Sequence, residues 1–276
     1  MIRLIACDLD DTLLDLDGTI SPENKRVIKK ALDKGVVFTI ATGRMFISAA
    51  RYGRDLGLPP TQPLICYNGA LIKRISGETL YEEPLAADVA ASLAGYGQPR
   101  NWSINAYYND ELCVSRLDAN IAEYADFVGV RVREVGDLAA FIRAGNLSLS
   151  KLLIIGDPRD IPAWAAEVKE LLQGRAQITQ SRAKFIEITS PAAHKGKALL
   201  WLAQYLGFVA EEIMAIGDSL NDLTMVEMAG LGVAVANARK AVREAADYIT
   251  AAHTENGVAQ AVQKFVLDLP APASAN

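Results

Sequence analysis

Histidine, cysteine and long apolar runs are all scarce in this chain. Its two histidines, His194 and His253, do not sit at ligand spacing within 276 residues, which argues against a zinc hydrolase. The three cysteines, Cys7, Cys66 and Cys113, are odd in number, widely spaced and set in apolar runs. They read as reduced core thiols, and the expected compartment is cytoplasmic. No stretch approaches the roughly 18 consecutive apolar residues of a membrane span. Asp8 and Asp10 interrupt the short apolar start, so no signal-peptide pattern is expected. Lys and Arg form no block and the net charge is −5, which speaks against nucleic acid and acidic membranes as partners. A small anionic ligand would need a local positive site. There is no internal repeat.

What the chain does contain is a series of apolar strands that end in carboxylates, hydroxyls and glycines. Ile2 to Cys7 empties into Asp8-Leu9-Asp10-Asp11-Thr12. Alternate side chains of an extended chain share a face, so Asp8 and Asp10 start on one side. Two carboxylates so close repel unless a cation lies between them, and oxygen ligands of this kind suit magnesium. Val36 to Ala41 ends in Thr42-Gly43-Arg44, and Ile213 to Ile216 ends in Gly217-Asp218-Ser219-Leu220-Asn221-Asp222. Between these, Lys195-Gly196-Lys197 opens the amphipathic stretch from Ala198 to Leu206. Each motif alone has a plainer reading: a solubilising strand end, a helix entry, a surface lysine, a helix cap. Their common order and setting make the joint reading a phosphate and metal site.

A chain of this length, 51% hydrophobic, accommodates two compact units. Strands near Arg3 to Cys7, Val36 to Ala41 and Pro63 to Cys66 alternate with helices near Pro22 to Lys34 and Met45 to Leu56, which predicts a parallel sheet covered on both faces. Ser21-Pro22 reads as a helix start and Gly35 as its stop. The alternation resumes after Lys195, with helices near 196–207, 220–230, 238–246 and 257–267. The middle differs: the hairpin signal Asn109-Asp110 and the strands near 102–108, 111–116, 150–155, 176–180 and 185–189 indicate antiparallel pairing. The expected organisation is α/β: a doubly wound, Rossmann-like parallel-sheet core from 1–82 and 191–276, with an α+β insert at 83–190. The tail Leu269 to Asn276, rich in proline and alanine, is expected to fray.

In order and type the four motifs resemble the haloacid dehalogenase-like superfamily of phosphotransferases and, within it, the Cof-like hydrolases. The resemblance covers nearly the whole chain, including Tyr67-Asn68-Gly69-Ala70 and Val235-Ala236-Asn237-Ala238. It implies a magnesium-dependent phosphatase acting on small phosphorylated metabolites, sugar phosphates above all, through an aspartyl-phosphate. Asp8 would be the nucleophile and Asp10 the general acid and base. Magnesium would be held by the Asp8 carboxylate, the Asp10 main-chain carbonyl and Asp218, with Asp222 reaching it directly or through water. Thr42, Gly43 N–H and Lys195 would hold the phosphoryl oxygens, and Asn221 would be a positioning amide. Arg44 either braces the site or meets substrate, with Asn68 a further substrate candidate.

The same resemblance makes the insert a cap that excludes water and chooses the leaving group. Trp102, Asn105, Tyr107 and Arg116 either face the substrate or fill the cap's own core, and packing is the favoured reading. Lys197 competes with Lys195, but the motif has lysine immediately before glycine. His194 is expected to be exposed, and His253 stands where the family often carries asparagine. Two alternatives are a sugar phosphomutase of similar core and cap, which would need a cationic second phosphate site, and a phospho-signalling receiver. Receivers are short and carry their aspartate on a later strand. Substrate and oligomeric state are not legible in the sequence.

Overall fold

The computed structural model describes residues 1–180 and 182–268, so the tail from Leu269 to Asn276 lies outside the described residues. In chain order the first elements are β1 (Leu4–Cys7), α1 (Pro22–Asp33), β2 (Val37–Ile40), α2 (Phe46–Asp55), β3 (Pro63–Cys66), β4 (Leu71–Arg74) and β5 (Thr79–Glu82). The middle carries α3 (Ala87–Gly97), β6 (Ser103–Tyr108), β7 (Glu111–Val114), α4 (Ala119–Val128), β8 (Val132–Glu134), α5 (Leu138–Gly145), β9 (Lys151–Ile155), α6 (Ile161–Leu172), β10 (Gln177–Thr179) and β11 (Phe185–Thr189). The chain ends with α7 (Lys195–Tyr205), β12 (Ile213–Gly217), α8 (Leu223–Met228), β13 (Leu231–Ala234), α9 (Lys240–Ala245), β14 (Tyr248–Ile249) and α10 (Gly257–Val262).

Residue contacts divide the chain into one unit of Met1–Arg44, Ala49–Leu80 and His194–Asn276, and another of Met45–Ser48 and Tyr81–Ala193. The first unit holds a parallel sheet of order β14-β13-β12-β1-β2. A parallel bridge from Ala41 to Ile65 adds β3 beside it, and β3, β4 and β5 form a separate antiparallel ribbon. Strand β1 is buried along its whole length, as is expected of a strand with helices over both faces. It lies between β2 and β12, so the sheet grows one way from β1 and later the other way. That is a topological switch point, where open α/β sheets bind ligands beyond the carboxyl ends of their strands. Helix α1 begins as its sequence dictates: the Ser21 hydroxyl accepts from Asn24 N at 3.1 Å, Pro22 occupies the first turn, and Gly35 follows at φ +83°.

The second unit holds a six-stranded sheet of order β10-β11-β9-β6-β7-β8. All its pairings are antiparallel except that of β7 with β8. Asn109 and Asp110 both take positive φ, 50° and 62°, as the tight turn between β6 and β7 requires. One face of this sheet packs Ile104, Ala106, Leu152, Ile154, Ile186 and Ile188 against α3, α5 and α6 in a continuous apolar core. Trp102 joins that core and stacks on Trp164, with ring centroids 4.9 Å apart.

Three features escaped the sequence reading. The β4–β5 ribbon runs through the charged segment Leu71 to Glu82, where Lys73, Arg74, Glu78 and Glu82 mask its strands. β8 is three residues long, too short for a periodic pattern. Helix α5 is eight residues long and is held by local chemistry: the Asp137 carboxylate caps it by accepting from Ala140 N at 2.8 Å, and Asn146 ends it in the left-handed region.

Candidate active site

Every residue singled out from the four motifs lies in the first unit, Asp8, Thr42 and Asp218 just beyond the ends of its parallel strands and Lys195 at the start of α7. Asp8 directly follows β1, and its N–H donates to Ile216 O at 3.0 Å, which ties the turn after β1 to β12. Asp218 follows β12. The chain then doubles back so tightly that a Cβ on Gly217 would lie 2.5 Å from the Asp222 Cβ. Asp222 closes that turn, its Oδ2 accepting from Asp218 N at 3.0 Å and from Ser219 N at 2.9 Å.

Lys195, the first residue of α7, is completely buried. Its ammonium donates to Asp8 Oδ1 and to Asp222 Oδ1, both at 2.6 Å. Burial alone would depress this lysine, but the facing carboxylates of Asp222 and Asp8 overcome burial and raise its pKa, so it stays charged. Lys197 is exposed and takes no part in this arrangement. His194 is half-buried where exposure was expected, because it caps α7: its Nδ1 accepts from Lys197 N at 3.1 Å. Burial, then the charge of Lys197, lowers its pKa and favours the neutral ring that a cap acceptor requires.

Two of the carboxylates are held against their own repulsion. Burial pushes Asp8 well above the usual carboxylate range, with Asp222, Asp218 and Asp10 adding to it and Lys195 opposing. Asp218 is pushed up to about 6, first by burial and then by Asp222, although the hydroxyls of Ser219 and Thr12 donate to it at 2.9 and 3.1 Å. One oxygen each of Asp8, Asp218 and Asp222 falls within a 4.8 Å cluster. All-oxygen donors with excess negative charge suit a hard divalent cation, which would relieve the repulsion. Both oxygens of Asp222, however, already accept from Lys195 and from the backbone. Asp8 and Asp218 are therefore the better placed to hold such an ion by side chain, with Asp222 orienting lysine and loop around it.

The remaining candidates form the rest of the cradle. Thr42 is fully buried, and its hydroxyl accepts from Arg44 N at 3.1 Å. Asn68, at φ 56°, sends its N–H to Thr42 O at 3.0 Å. Its side-chain oxygen accepts from Asn221 Nδ2 at 2.9 Å and lies 2.9 Å from where a Cβ on Gly43 would sit. A side chain at position 43 would push the Asn68 amide aside. Gly69, at φ +99°, brings the loop so near α7 that a Cβ would stand 2.4 Å from His194 O. The Arg44 guanidinium grips the Asp10 carboxylate with two nitrogens, Nε at 2.8 Å from Oδ2, and it also donates to Tyr52 Oη at 3.2 Å. Arg44 thus braces Asp10, whose side chain stays about half exposed at 48%.

Sequence reasoning gave no role to Thr12, Ser219, Tyr52 or Asn237. Thr12 was visible only as the end of the Asp8–Thr12 stretch. Asn237 donates to Asp11 O at 2.8 Å and accepts from His253 N at 3.0 Å. His253 Nδ1 in turn bonds Leu14 O at 2.8 Å. The histidine therefore anchors the loop after β1 and does not face the carboxylate cluster through that nitrogen. Cys7 is buried with its thiol pushed well up, which removes it as a nucleophile.

Against known proteins, the profile of the haloacid dehalogenase-like hydrolases matches residues 5–262. A 5-amino-6-(5-phospho-D-ribitylamino)uracil phosphatase of Bacillus subtilis is 32% identical, covering 96% of this chain and 96% of that protein. The crystal structure of a haloacid dehalogenase-like hydrolase from Bacteroides thetaiotaomicron superposes with a TM-score of 0.87 at 31% identity, over 96% of this chain and 99% of that one. A crystal structure from Thermotoga maritima gives the same TM-score, 0.87, and identity, 31%, over 97% of this chain and 100% of that one.

Proposed function

The chain belongs to the haloacid dehalogenase-like hydrolases and is a phosphatase of that family, and from that premise we propose that it hydrolyses small phosphomonoesters of sugars or polyols, with magnesium, through an acyl phosphate on Asp8. The observation that carries this reading is the buried Asp8–Lys195–Asp222 arrangement with Asp218 beside it, at the carboxyl ends of adjacent parallel strands.

Lys195 holds one oxygen of Asp8 and opposes the burial that pushes its pKa up. The other oxygen attacks phosphorus while the bond to the leaving oxygen breaks, which replaces one slow hydrolysis by two easier transfers. Asp10 supplies the proton to the leaving oxygen and later takes one from the attacking water, a role worth roughly 10²- to 10⁴-fold. Arg44 fixes the direction of that carboxylate. Thr42, Gly43 N–H and Asn221 receive the phosphoryl oxygens. Bound through Asp8, Asp218 and the Asp10 carbonyl, magnesium would neutralise charge on the phosphoryl group. The Bacillus subtilis relative acts, by its name, on a phosphoribityl compound, which supports a polyol phosphate here.

The test separates the two carboxylates. Each variant is mixed with a labelled aryl phosphate, quenched in acid and treated with hydroxylamine, which cleaves acyl phosphates. Asp8→Asn should hold no label. Asp10→Asn should accumulate it, because a good leaving group needs little protonation in the first step but water still needs a base. Label on Asp8→Asn, or rapid loss of label from Asp10→Asn, would show the roles to be wrongly assigned.

A further inference from the structure

The loop after β1 folds into a small hairpin. Leu14 and Ile20 pair across it as an antiparallel bridge, Asp15 N donates to Thr19 O and Gly18 N to Asp15 O, both at 2.9 Å, and Gly18 turns the tip at φ +75°. Its base is pinned by the far end of the chain. Asn237 Nδ2 donates to Asp11 O at 2.8 Å, His253 N donates to Asn237 Oδ1 at 3.0 Å, and His253 Nδ1 bonds Leu14 O at 2.8 Å. Leu13, Leu14 and Ile20 are buried. The hairpin is therefore a fixed point shortly after Asp10.

Tyr52, on α2, connects that fixed point to Asp10. Its hydroxyl has one proton to give, and Gly18 O, 3.1 Å away, can only accept, so the proton points there. The hydroxyl oxygen is then left to accept from Arg44 Nη1 at 3.2 Å. Arg44 in turn donates through Nε to Asp10 Oδ2 at 2.8 Å and through Nη2 to Oδ1. The guanidinium carbon also stands 5.1 Å from the Tyr52 ring centre. Gly18 carbonyl, Tyr52 hydroxyl, Arg44 guanidinium and Asp10 carboxylate thus form one continuous run, all within the first unit. An anchor matters here because the ion pair is open to water, with Asp10 48% and Arg44 27% exposed, and such pairs hold their geometry weakly by themselves. Each Asp10 oxygen keeps a second lone pair beside its bond to Arg44, so the grip leaves room for a transferred proton.

We propose that Tyr52 is a positioning residue for the proton transfers at Asp10: by tying Arg44 to Gly18 it fixes the direction in which the Asp10 carboxyl meets the leaving oxygen. Tyr52 acts through Arg44 and lies outside all four motifs. The inference rests on the acid and base role proposed above for Asp10.

The test compares kcat/KM for phenyl phosphate, whose leaving oxygen is basic enough to need a proton, with kcat/KM for 4-nitrophenyl phosphate, whose leaving group needs little. The two substrates are nearly the same shape, and kcat/KM reports only the steps up to the first phosphoryl transfer, so neither fit nor the later attack of water enters the ratio. Tyr52→Phe removes one oxygen from a half-buried side chain and keeps the ring. It should lower the phenyl to 4-nitrophenyl ratio about 3- to 10-fold, as expected when one orienting hydrogen bond to the acid's brace is lost. In an Asp10→Asn background the same change should leave the ratio where Asp10→Asn alone puts it, because the two act as one unit. A lowered ratio in Asp10→Asn with an unmoved one in Tyr52→Phe overturns this inference alone. Equal losses on both substrates in Tyr52→Phe do the same, and mark a residue that only packs. A further fall in the double variant rules out the route through Asp10. If Asp10→Asn itself leaves the ratio unmoved, the acid role of Asp10 fails and this inference with it.

Discussion

Asp218→Asn should make the metal-free protein more stable at neutral pH while ending turnover. Asp218 is 7% exposed and faces Asp222, and its pKa rises from the ordinary 3.8 to about 6, through burial first and Asp222 second. A rise of about 2 units corresponds to about 3 kcal/mol spent on ionising the group in the folded state. Asparagine removes that cost. It keeps an acceptor for the Thr12 hydroxyl but turns an amide toward Ser219, so a net gain of about 1–3 kcal/mol is expected. The sign follows from proton binding: the folded form holds the Asp218 proton more tightly than the unfolded form. Wild-type stability therefore falls as pH rises between about 4 and about 6, and the penalty is complete above that. Urea unfolding of both proteins in chelator, at about pH 7.5 and about pH 4.5, measures it. The variant's advantage should appear at the higher pH and fade at the lower. Added magnesium should then raise wild-type stability more than the variant's. A variant less stable than wild type at the higher pH, or a difference that ignores pH, would refute the reasoning.

Lys195→Met should have the opposite effect, costing about 3–5 kcal/mol in unfolding free energy along with activity, because Asp8 and Asp222 lose the one ammonium that compensates both; a loss under about 1 kcal/mol would mean the pair is not buried in solution. Gly69→Ala places a methyl 2.4 Å from His194 O in a left-handed backbone, so about 2–4 kcal/mol should be lost and turnover should fall as α7 shifts Lys195; unchanged melting and kinetics would contradict the close approach. Exchanging residues 83–190 for the corresponding segment of another Cof-like hydrolase should change substrate ranking while aspartyl-phosphate chemistry persists, and a folded chimera with the original ranking would place specificity elsewhere.

Much of the first unit was legible because its signals are local. Apolar runs such as Ile213 to Ile216 end in residues that cannot continue a buried strand, and Ser21-Pro22 and Gly35 bracket a helix through their own backbone preferences. β8 and α5 were not legible, since elements so short are held by pairing with β7 and by an apolar face that exists only once α3 packs on it.

Sequence order alone was enough to put Asp8, Thr42, Asn68 and Asp218 at the carboxyl ends of the core strands, because strand ends in an α/β alternation share a side. It could not choose how those groups bond. That Lys195 rather than Lys197 is buried between two carboxylates, that Asp222 is committed to Lys195 and the backbone, and that Arg44 braces Asp10 depend on distances set by packing. The same holds for Asn105, which the sequence left open between facing substrate and filling the insert's core. Only the register of β6 with β9 puts its amide on a buried polar face without a partner. Local pattern determines which residues end a strand; hydrogen bonds and desolvation between segments as much as 239 residues apart determine what those residues can do.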